Sequence, residues 1–309
     1  MCKKTNWFYL ILFVFTVAGS YALAAVMYGL GIELPLWFQM IQTYLVMAVP
    51  TVIFMLIVKI NPAKNLPFRV LKPADALLSI LFGYMLVPMM IFLNFVTMLF
   101  VQNHLQDTSS DLFYQYPFIV QLILMAVIPG VVEEFIFRGV IYHSYRKNGV
   151  LGAAVLSALC FGLFHMNFNQ FFYAFVLGLV FALLVEATSS LFSSMLAHIA
   201  ANSYSVIMIN LIPRDMLESD STEAVIEELS QAQMLIGNIM AAVMLAMFAF
   251  GFGAVAYVIY KKLAKRNNRS VYMRVKLSQK FRAVNGERFV TVPAVIAIVL
   301  GVVVMVLMQ

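Results

Sequence analysis

The sequence predicts an all-α polytopic membrane protein, a helical bundle of about eight or nine transmembrane helices that enclose a polar cavity. Of the 309 residues, 63% are hydrophobic and only 11% are charged, whereas a soluble domain carries about a quarter charged residues. The apolar residues form runs of about 20 residues, the length that a helix needs to cross a bilayer. Ionisable residues inside these runs are concentrated in three of them, which predicts the shared cavity.

Nine apolar stretches are candidate transmembrane helices. In chain order they lie at residues 7–31, 36–58, 74–101, 116–142, 150–166, 169–186, 190–212, 233–260 and 290–308. The fifth and sixth are the least clearly separated, because only a short polar break at 166–170 divides them. The first is too long for the apolar part of a signal peptide, which indicates a retained helix.

These stretches divide the chain into three parts. Residues 1–73 hold an N-terminal pair of transmembrane helices, and residues 74–212 form a core that carries the polar motifs. Residues 213–309 comprise an acidic outer loop, a transmembrane helix, a basic cytoplasmic loop and a final transmembrane helix.

Charges in the loops predict the orientation. If every span crosses once, four basic segments fall on one side, at residues 3–4, 59–72, 146–147 and 261–288, and acidic segments at 107–111 and 215–228 fall on the other. Because cytoplasmic loops carry an excess of Lys and Arg, the N-terminus is predicted to be cytoplasmic and the C-terminus extracytoplasmic. The net charge of +6 therefore reflects membrane topology, and nucleic acid is not an expected partner.

Six polar residues within the spans are the candidate site residues. They are Glu133, Glu134 and Arg138 in the fourth span, His165 at the end of the fifth, and His198 and Asn202 in the seventh. Ionisable side chains are costly in lipid, usually face the bundle interior and mark function. Glu134 and Arg138 are four residues apart, as are His198 and Asn202, so each pair shares a helix face. Pro129 and Gly130 predict a local opening of the fourth helix.

Two kinds of chemistry are open to these residues. A carboxylate and an imidazole can activate water as a general base, and a second histidine with an amide can donate hydrogen bonds to an oxyanion. Alternatively, Glu133, His165 and His198 could hold a divalent metal such as Zn²⁺. Helical zinc sites usually place two histidines in an H-E-x-x-H motif, which this chain lacks, so metal-free activation of water is favoured.

The spacing of the polar residues resembles that of a known family. E-E-x-x-x-R occurs at Glu133–Arg138, F-x-x-x-H at Phe161–His165 and H-x-x-x-N at His198–Asn202. Together and in this order, the three motifs resemble the CPBP superfamily of CAAX prenyl endopeptidases, their bacterial relatives and bacteriocin-processing or immunity proteins. The resemblance covers roughly residues 75–212, which makes the core protease-like.

The resemblance implies a role for each residue. Glu133 would act as general base with His165 on the attacking water. Glu134 would support the site through Arg138, while His198 and Asn202 would stabilise the oxyanion. The expected activity is that of an intramembrane endopeptidase, of glutamate or metallo type.

Its expected substrate is a membrane-embedded or lipidated peptide within the bilayer. The alternative is a non-catalytic membrane scaffold or bacteriocin-immunity protein that binds a peptide or partner in the same cavity.

Overall fold

The computed structural model describes residues 1–101, 116–211, 230–278 and 287–308. Within these ranges the regular structure consists of eleven helices. In chain order they are α1 (Cys2–Gly29), α2 (Leu36–Ile57), α3 (Pro62–Asn65), α4 (Pro73–Met98), α5 (Phe118–Arg146), α6 (Val150–Phe164), α7 (Phe168–Thr188), α8 (Leu191–Leu211), α9 (Gln231–Arg266), α10 (Ser270–Ser278) and α11 (Val292–Leu307). The acidic segments predicted at 107–111 and 215–228 lie outside the described residues.

Each of the nine predicted apolar stretches contains a helix, which confirms the all-α membrane fold. In the described part of the chain, seven helices are long and apolar enough to cross a membrane. The other two, α6 and α11, have 15 and 16 residues. At 1.5 Å per residue they are about 22–24 Å long, shorter than the roughly 30 Å hydrocarbon core of a bilayer.

The polar break between α6 and α7 is a defined turn. Met166 adopts a left-handed conformation with φ of 54°, and the side chain of Asn167 then accepts hydrogen bonds from the backbone N–H groups of Asn169 and Gln170. Asparagine is a preferred N-cap because its side chain satisfies donors that the first helical turn leaves free. The separation of these two helices, predicted from five residues, is confirmed.

Helix α5 is irregular on both sides of its paired glutamates. Residues Ile123–Val127 and Phe135–Tyr142 are π-helical, and the α-helical turn Ile128–Glu134 lies between them. Proline lacks the N–H that would complete the preceding turn, so Pro129 is compatible with the wider first segment. The predicted local opening is therefore present, and π-helical segments of this kind are frequent at functional sites.

Helix α8 packs closely against α4 and α5 because each of these helices has a glycine at the contact. A Cβ atom on Gly83 of α4 would lie 2.1 Å from the carbonyl oxygen of Ala197. A Cβ atom on Gly130 of α5 would lie 2.6 Å from Cγ1 of Ile199. Small residues of this kind permit close packing of helices in membranes. The contact at Gly130 brings the glutamates of α5 next to His198.

The described parts of the predicted basic segments lie at one end of the bundle. The N-terminal ammonium of Met1 is 2.6 Å from Glu287, and Asp75 at the start of α4 pairs with Arg266 at the end of α9. The carboxylate of Glu186 pairs with Arg146 and Arg269. The segments share one end of the bundle, as predicted. That this end faces the cytoplasm remains a prediction.

The basic segment is more helical than the sequence indicated. Helix α9 continues to Arg266, six residues beyond the predicted end of its apolar stretch, and α10 follows within the predicted loop. Both departures are explained by tertiary contacts. Asp75 pairs with Arg266, and Arg146 of α5 donates a hydrogen bond to the hydroxyl of Tyr272 on α10 at 3.2 Å.

Candidate active site

A polar cavity inside the bundle collects the predicted residues from α5, α6 and α8. Its volume is about 300 Å³. It is lined by Met40, Tyr44, Met90, Leu124, Met125, Pro129, Glu133, Phe161, His165, Gln170, Tyr173, Ala174, Leu177, His198, Asn202 and Ser205. Four of the six predicted site residues thus face one space, and Glu134 and Arg138 lie behind it. The predicted buried cavity is present.

The two adjacent glutamates occupy different environments. The side chain of Glu133 is 14% exposed and lines the cavity. The side chain of Glu134 is fully buried. Because successive residues of a helix point about 100° apart, one carboxylate can reach a substrate while its neighbour faces the protein interior.

The carboxylate of Glu134 contacts both Arg138 and His198. Its Oε1 atom is 2.9 Å from Nη1 of Arg138 and accepts a hydrogen bond from Nδ1 of His198 at 3.0 Å. The other ring nitrogen of His198, Nε2, is 3.8 Å from Oε2 of Glu133. His198 is therefore oriented by the buried glutamate toward the cavity glutamate.

Arg138 is buried among aromatic rings. Its guanidinium carbon lies 4.1 Å from the centre of the Phe161 ring and 5.6 Å from that of Phe181, distances at which a cation is attracted to a ring face. The approach to Glu134 is short but poorly aligned, so Nε, Nη1 and Nη2 have no hydrogen-bond partner among the described residues. We therefore regard the contact with Glu134 as an ion pair rather than a hydrogen bond.

His165 presents one ring nitrogen to the cavity in a defined state. Its Nδ1 atom lies 2.9 Å from the backbone oxygen of Phe161. A carbonyl can only accept, so Nδ1 carries the proton, and Nε2 of the neutral ring is an acceptor. In the described part of the chain no hydrogen bond joins His165 to Glu133 directly, although both line the cavity.

Four further polar residues line the cavity without having been predicted: Tyr44, Gln170, Tyr173 and Ser205. The hydroxyl of Tyr44 donates a hydrogen bond to Oε1 of Glu133 at 3.2 Å, and Gln170 and Tyr173 lie nearby on α7. Tyr44 belongs to α2, outside the region of resemblance, and nothing in its apolar surroundings marks it. Gln170 could have been suspected, because it ends the polar break between two spans.

The predicted ligands of a divalent metal are Glu133, His165 and His198. Within the described ranges, no group of three His, Cys, Asp or Glu residues is placed to hold a metal ion. Glu133, His165 and His198 share the cavity, and the Nδ1 contact of His198 with Glu134 leaves its Nε2 directed toward Glu133, an arrangement common in metal-ligating histidines. As placed, these residues do not form a three-ligand set, and the metal alternative remains an untested prediction.

The fold and the site define a class: a polytopic membrane protein with a buried glutamate–histidine cavity. A family model described as "Type II CAAX prenyl endopeptidase Rce1-like" matches residues 115–204, which include all three motifs. The chain is also similar to "Putative membrane peptidase YdiL" of Bacillus subtilis (strain 168), with 28% identity over 121 residues. That match covers 39% of this chain and 46% of the relative, so it spans about half the relative's length. No solved structure matches the chain. The resemblance to the CPBP family is thereby confirmed over its motif region.

Proposed function

We propose that this protein is an intramembrane endopeptidase that hydrolyses a peptide bond with water activated by Glu133 and His165. One observation carries the proposal: Glu133, His165, His198 and Asn202, from three different helices, line a single polar cavity inside an apolar bundle. Buried ionisable groups are costly in a membrane protein. Their convergence on a space large enough for water and a peptide group supports chemistry rather than packing.

Glu133 and His165 together suit the activation of water. Both side chains face the cavity, and Nε2 of His165 is an acceptor. A water molecule between them could donate one hydrogen bond to the carboxylate and one to the imidazole. In the forward step, Glu133 takes a proton from this water as its oxygen attacks the carbonyl carbon and forms a tetrahedral intermediate. The intermediate collapses with cleavage of the C–N bond, and Glu133 delivers the same proton to the leaving amine, which leaves a carboxylic acid on the other product.

His198 and Asn202 suit the stabilisation of the oxyanion. The Nδ1–H of His198 donates to Glu134, so Nε2 can donate to an oxyanion only in the doubly protonated ring. Among the described residues, no hydrogen bond engages the side-chain amide of Asn202, which leaves its N–H groups for the substrate.

Tyr44 suits the positioning of the general base. Its hydroxyl donates to Oε1 of Glu133, while Oε2 faces Nε2 of His198. A carboxylate held at one oxygen has one defined orientation toward water. Tyr44 therefore acts in this proposal through Glu133, as a positioning residue.

The substrate class follows from the surroundings of the cavity. An apolar groove of about 760 Å³ lies beside it, lined by residues of α2, α5 and α8 that include Val132 and Ile199. Val132 and Ile199 are the sequence neighbours of Glu133 and His198. This arrangement supports a substrate that arrives from the lipid, as a membrane-embedded or lipidated peptide.

The test is cleavage of a panel of fluorogenic, membrane-anchored peptides by the purified protein. Glu133→Gln and His165→Ala are compared with wild type. Exposed Glu33→Gln and half-buried His143→Ala, both outside the active-site cavity, serve as matched controls. We expect kcat to fall by about 10²–10⁴-fold in the first pair, the usual contribution of a general base, and to persist in the controls. Melting temperatures check that every variant is folded. A chelator arm tests the metal alternative.

The outcomes separate the two classes of function. If Glu133→Gln binds a peptide but does not cut it, the catalytic assignment is supported. If wild type binds peptides without cutting any, or if Glu133→Gln cuts as fast as wild type, the catalytic assignment fails. Peptide binding without turnover would favour the scaffold or immunity function.

A further inference from the structure

A second polar cavity lies at the basic end of the bundle, behind the candidate active site. Its volume is about 150 Å³. It is lined by Pro67, Arg138, Tyr142, His143, Arg146, Val185, Glu186, Ser189 and Arg269. Arg138 and Arg146 are eight residues apart on α5, a rise of about 12 Å. The cavity therefore reaches from the bundle end toward the interior.

The lining of this cavity carries excess positive charge. It contains three arginines and one carboxylate, that of Glu186. Glu186 is already saturated: Arg146 and Arg269 each donate to Oε2 at 3.0 Å, and Tyr142 donates to Oε1 at 2.9 Å. The remaining arginine, Arg138, forms its ion pair with Glu134 and also interacts with the charge of Glu133, and neither glutamate lines this cavity.

Arg138 also has unused hydrogen-bonding capacity. Its side chain is fully buried, and its Nε, Nη1 and Nη2 atoms have no hydrogen-bond partner among the described residues. Buried donors without partners are rare in native proteins because each costs the desolvation of that group. A planar guanidinium with several free N–H groups matches the oxygens of a phosphate or carboxylate.

We propose that this cavity is an anion site that takes a phosphate group, supplied either as free phosphate or as the headgroup of an anionic lipid. The anion would accept hydrogen bonds from Arg138 and offset the positive lining. Water alone would fill the space, which has room for about five molecules, but it would leave the charge unbalanced. Basic pockets between helices at a membrane face are suited to lipid phosphates. The proposal does not depend on proteolysis.

Ser189 offers a test that leaves every arginine in place. It lines the cavity, is half-buried and has φ of 55°, in the left-handed region. Asp and Asn are the side chains that tolerate this conformation best after glycine. Ser189→Asp therefore places a carboxylate at the proposed anion position, and Ser189→Asn is its neutral match of the same shape.

The experiment measures the melting temperature of the full chain in phosphatidylcholine nanodiscs. One arm adds sodium phosphate against sodium chloride of equal ionic strength, and a second replaces part of the lipid with phosphatidic acid. For wild type and Ser189→Asn we expect a saturable rise of about 5 °C at a hundredfold excess over half-saturation. Ser189→Asp should melt higher than Ser189→Asn without added anion and show no further rise.

The outcomes distinguish free phosphate, a lipid headgroup and the absence of an anion from this cavity. A rise with free phosphate supports a soluble anion, and a rise with phosphatidic acid alone supports a lipid headgroup. If wild type responds to neither, the cavity holds water and the proposal is overturned. If Ser189→Asp responds as wild type does, the anion binds elsewhere on the basic segment, and this site is again excluded.

Discussion

Two buried glutamates, each facing arginine, occupy opposite situations in this molecule. Glu186, near the basic end, accepts hydrogen bonds from Tyr142, Arg146 and Arg269. Glu134, in the interior, contacts an arginine whose guanidinium nitrogens lack hydrogen-bond partners among the described residues. The first cluster is saturated and joins α5, α7 and the segment after α9. The second cluster has hydrogen-bond donors without described partners and borders two cavities. This arrangement is expected at a ligand-binding site.

The two clusters should differ most in stability when the charge of each glutamate is removed. Glu134→Gln leaves Arg138 buried without its counter-charge, and breaking a buried pair in this way costs about 3–5 kcal/mol. Unfolding in mixed detergent micelles should show this loss. Replacing both partners, as Glu134→Gln with Arg138→Met, should recover much of the stability but no peptidase activity. If the single variant is as stable as wild type, Arg138 is neutralised by something other than Glu134.

The corresponding substitution at the basic end, Glu186→Gln, should lower the free energy of unfolding by less than Glu134→Gln does. Arg146 and Arg269 are 32% and 21% exposed, so water can partly solvate them after Glu186→Gln. We expect a loss of about 2 kcal/mol, reduced from the buried-pair value by this exposure. Peptidase activity of the folded fraction should be kept. A loss equal to that of Glu134→Gln would mean that the two clusters do not differ as described.

A third change tests the contact that brings the interior cluster together. Gly130→Ala would force α5 away from Ile199, because the added Cβ has only 2.6 Å of space. Overpacking of this kind costs about 1–3 kcal/mol, and the shift should lower kcat as Glu133 and Glu134 move from His198. Gly237→Ala on α9 is the matched control, since no atom lies within 4 Å of its added Cβ. Equal effects of the two variants would contradict the packing argument.

The smallest expected effect is at Tyr44. Tyr44→Phe removes the hydrogen bond to Glu133, worth about 1 kcal/mol net, so kcat should fall roughly 5–10-fold with KM unchanged. Tyr9→Phe is the control, because among the described residues its buried hydroxyl donates to the backbone oxygen of Cys160 and to no site residue. We expect Tyr9→Phe to lower the melting temperature and leave kcat intact. A parallel fall in kcat for both would show that Tyr44 acts through stability alone.

Local patterns were sufficient for most of the fold. Uninterrupted apolar runs predicted every long helix, and the break at 166–170 predicted the turn between α6 and α7, because a capping asparagine acts within a few residues. The extension of α9 to Arg266 and the helix at 270–278 were not predicted. Their sequences are polar and basic, and they are held by contacts with Asp75 and Glu186, which are distant in the chain.

The candidate site could be predicted where a spacing carried the information. Glu134 and Arg138 form their ion pair within one helix, so four-residue spacing was enough. The different roles of the adjacent glutamates were expected from the family resemblance alone, because helical spacing pairs Glu134 with Arg138 but does not show which carboxylate faces the cavity. Tyr44 was missed because it reaches Glu133 from 89 residues away.

The sequence by itself determined a membrane bundle and the three motifs, since hydrophobic length and helical spacing are local properties of the chain. Only the tertiary structure decided which carboxylate meets the cavity, that α2 contributes a tyrosine to it, and that Arg138 faces a second, basic cavity with its donors free of described partners. These features depend on how closely α5 and α8 approach. That distance is set by packing at Gly130, between residues far apart in the sequence.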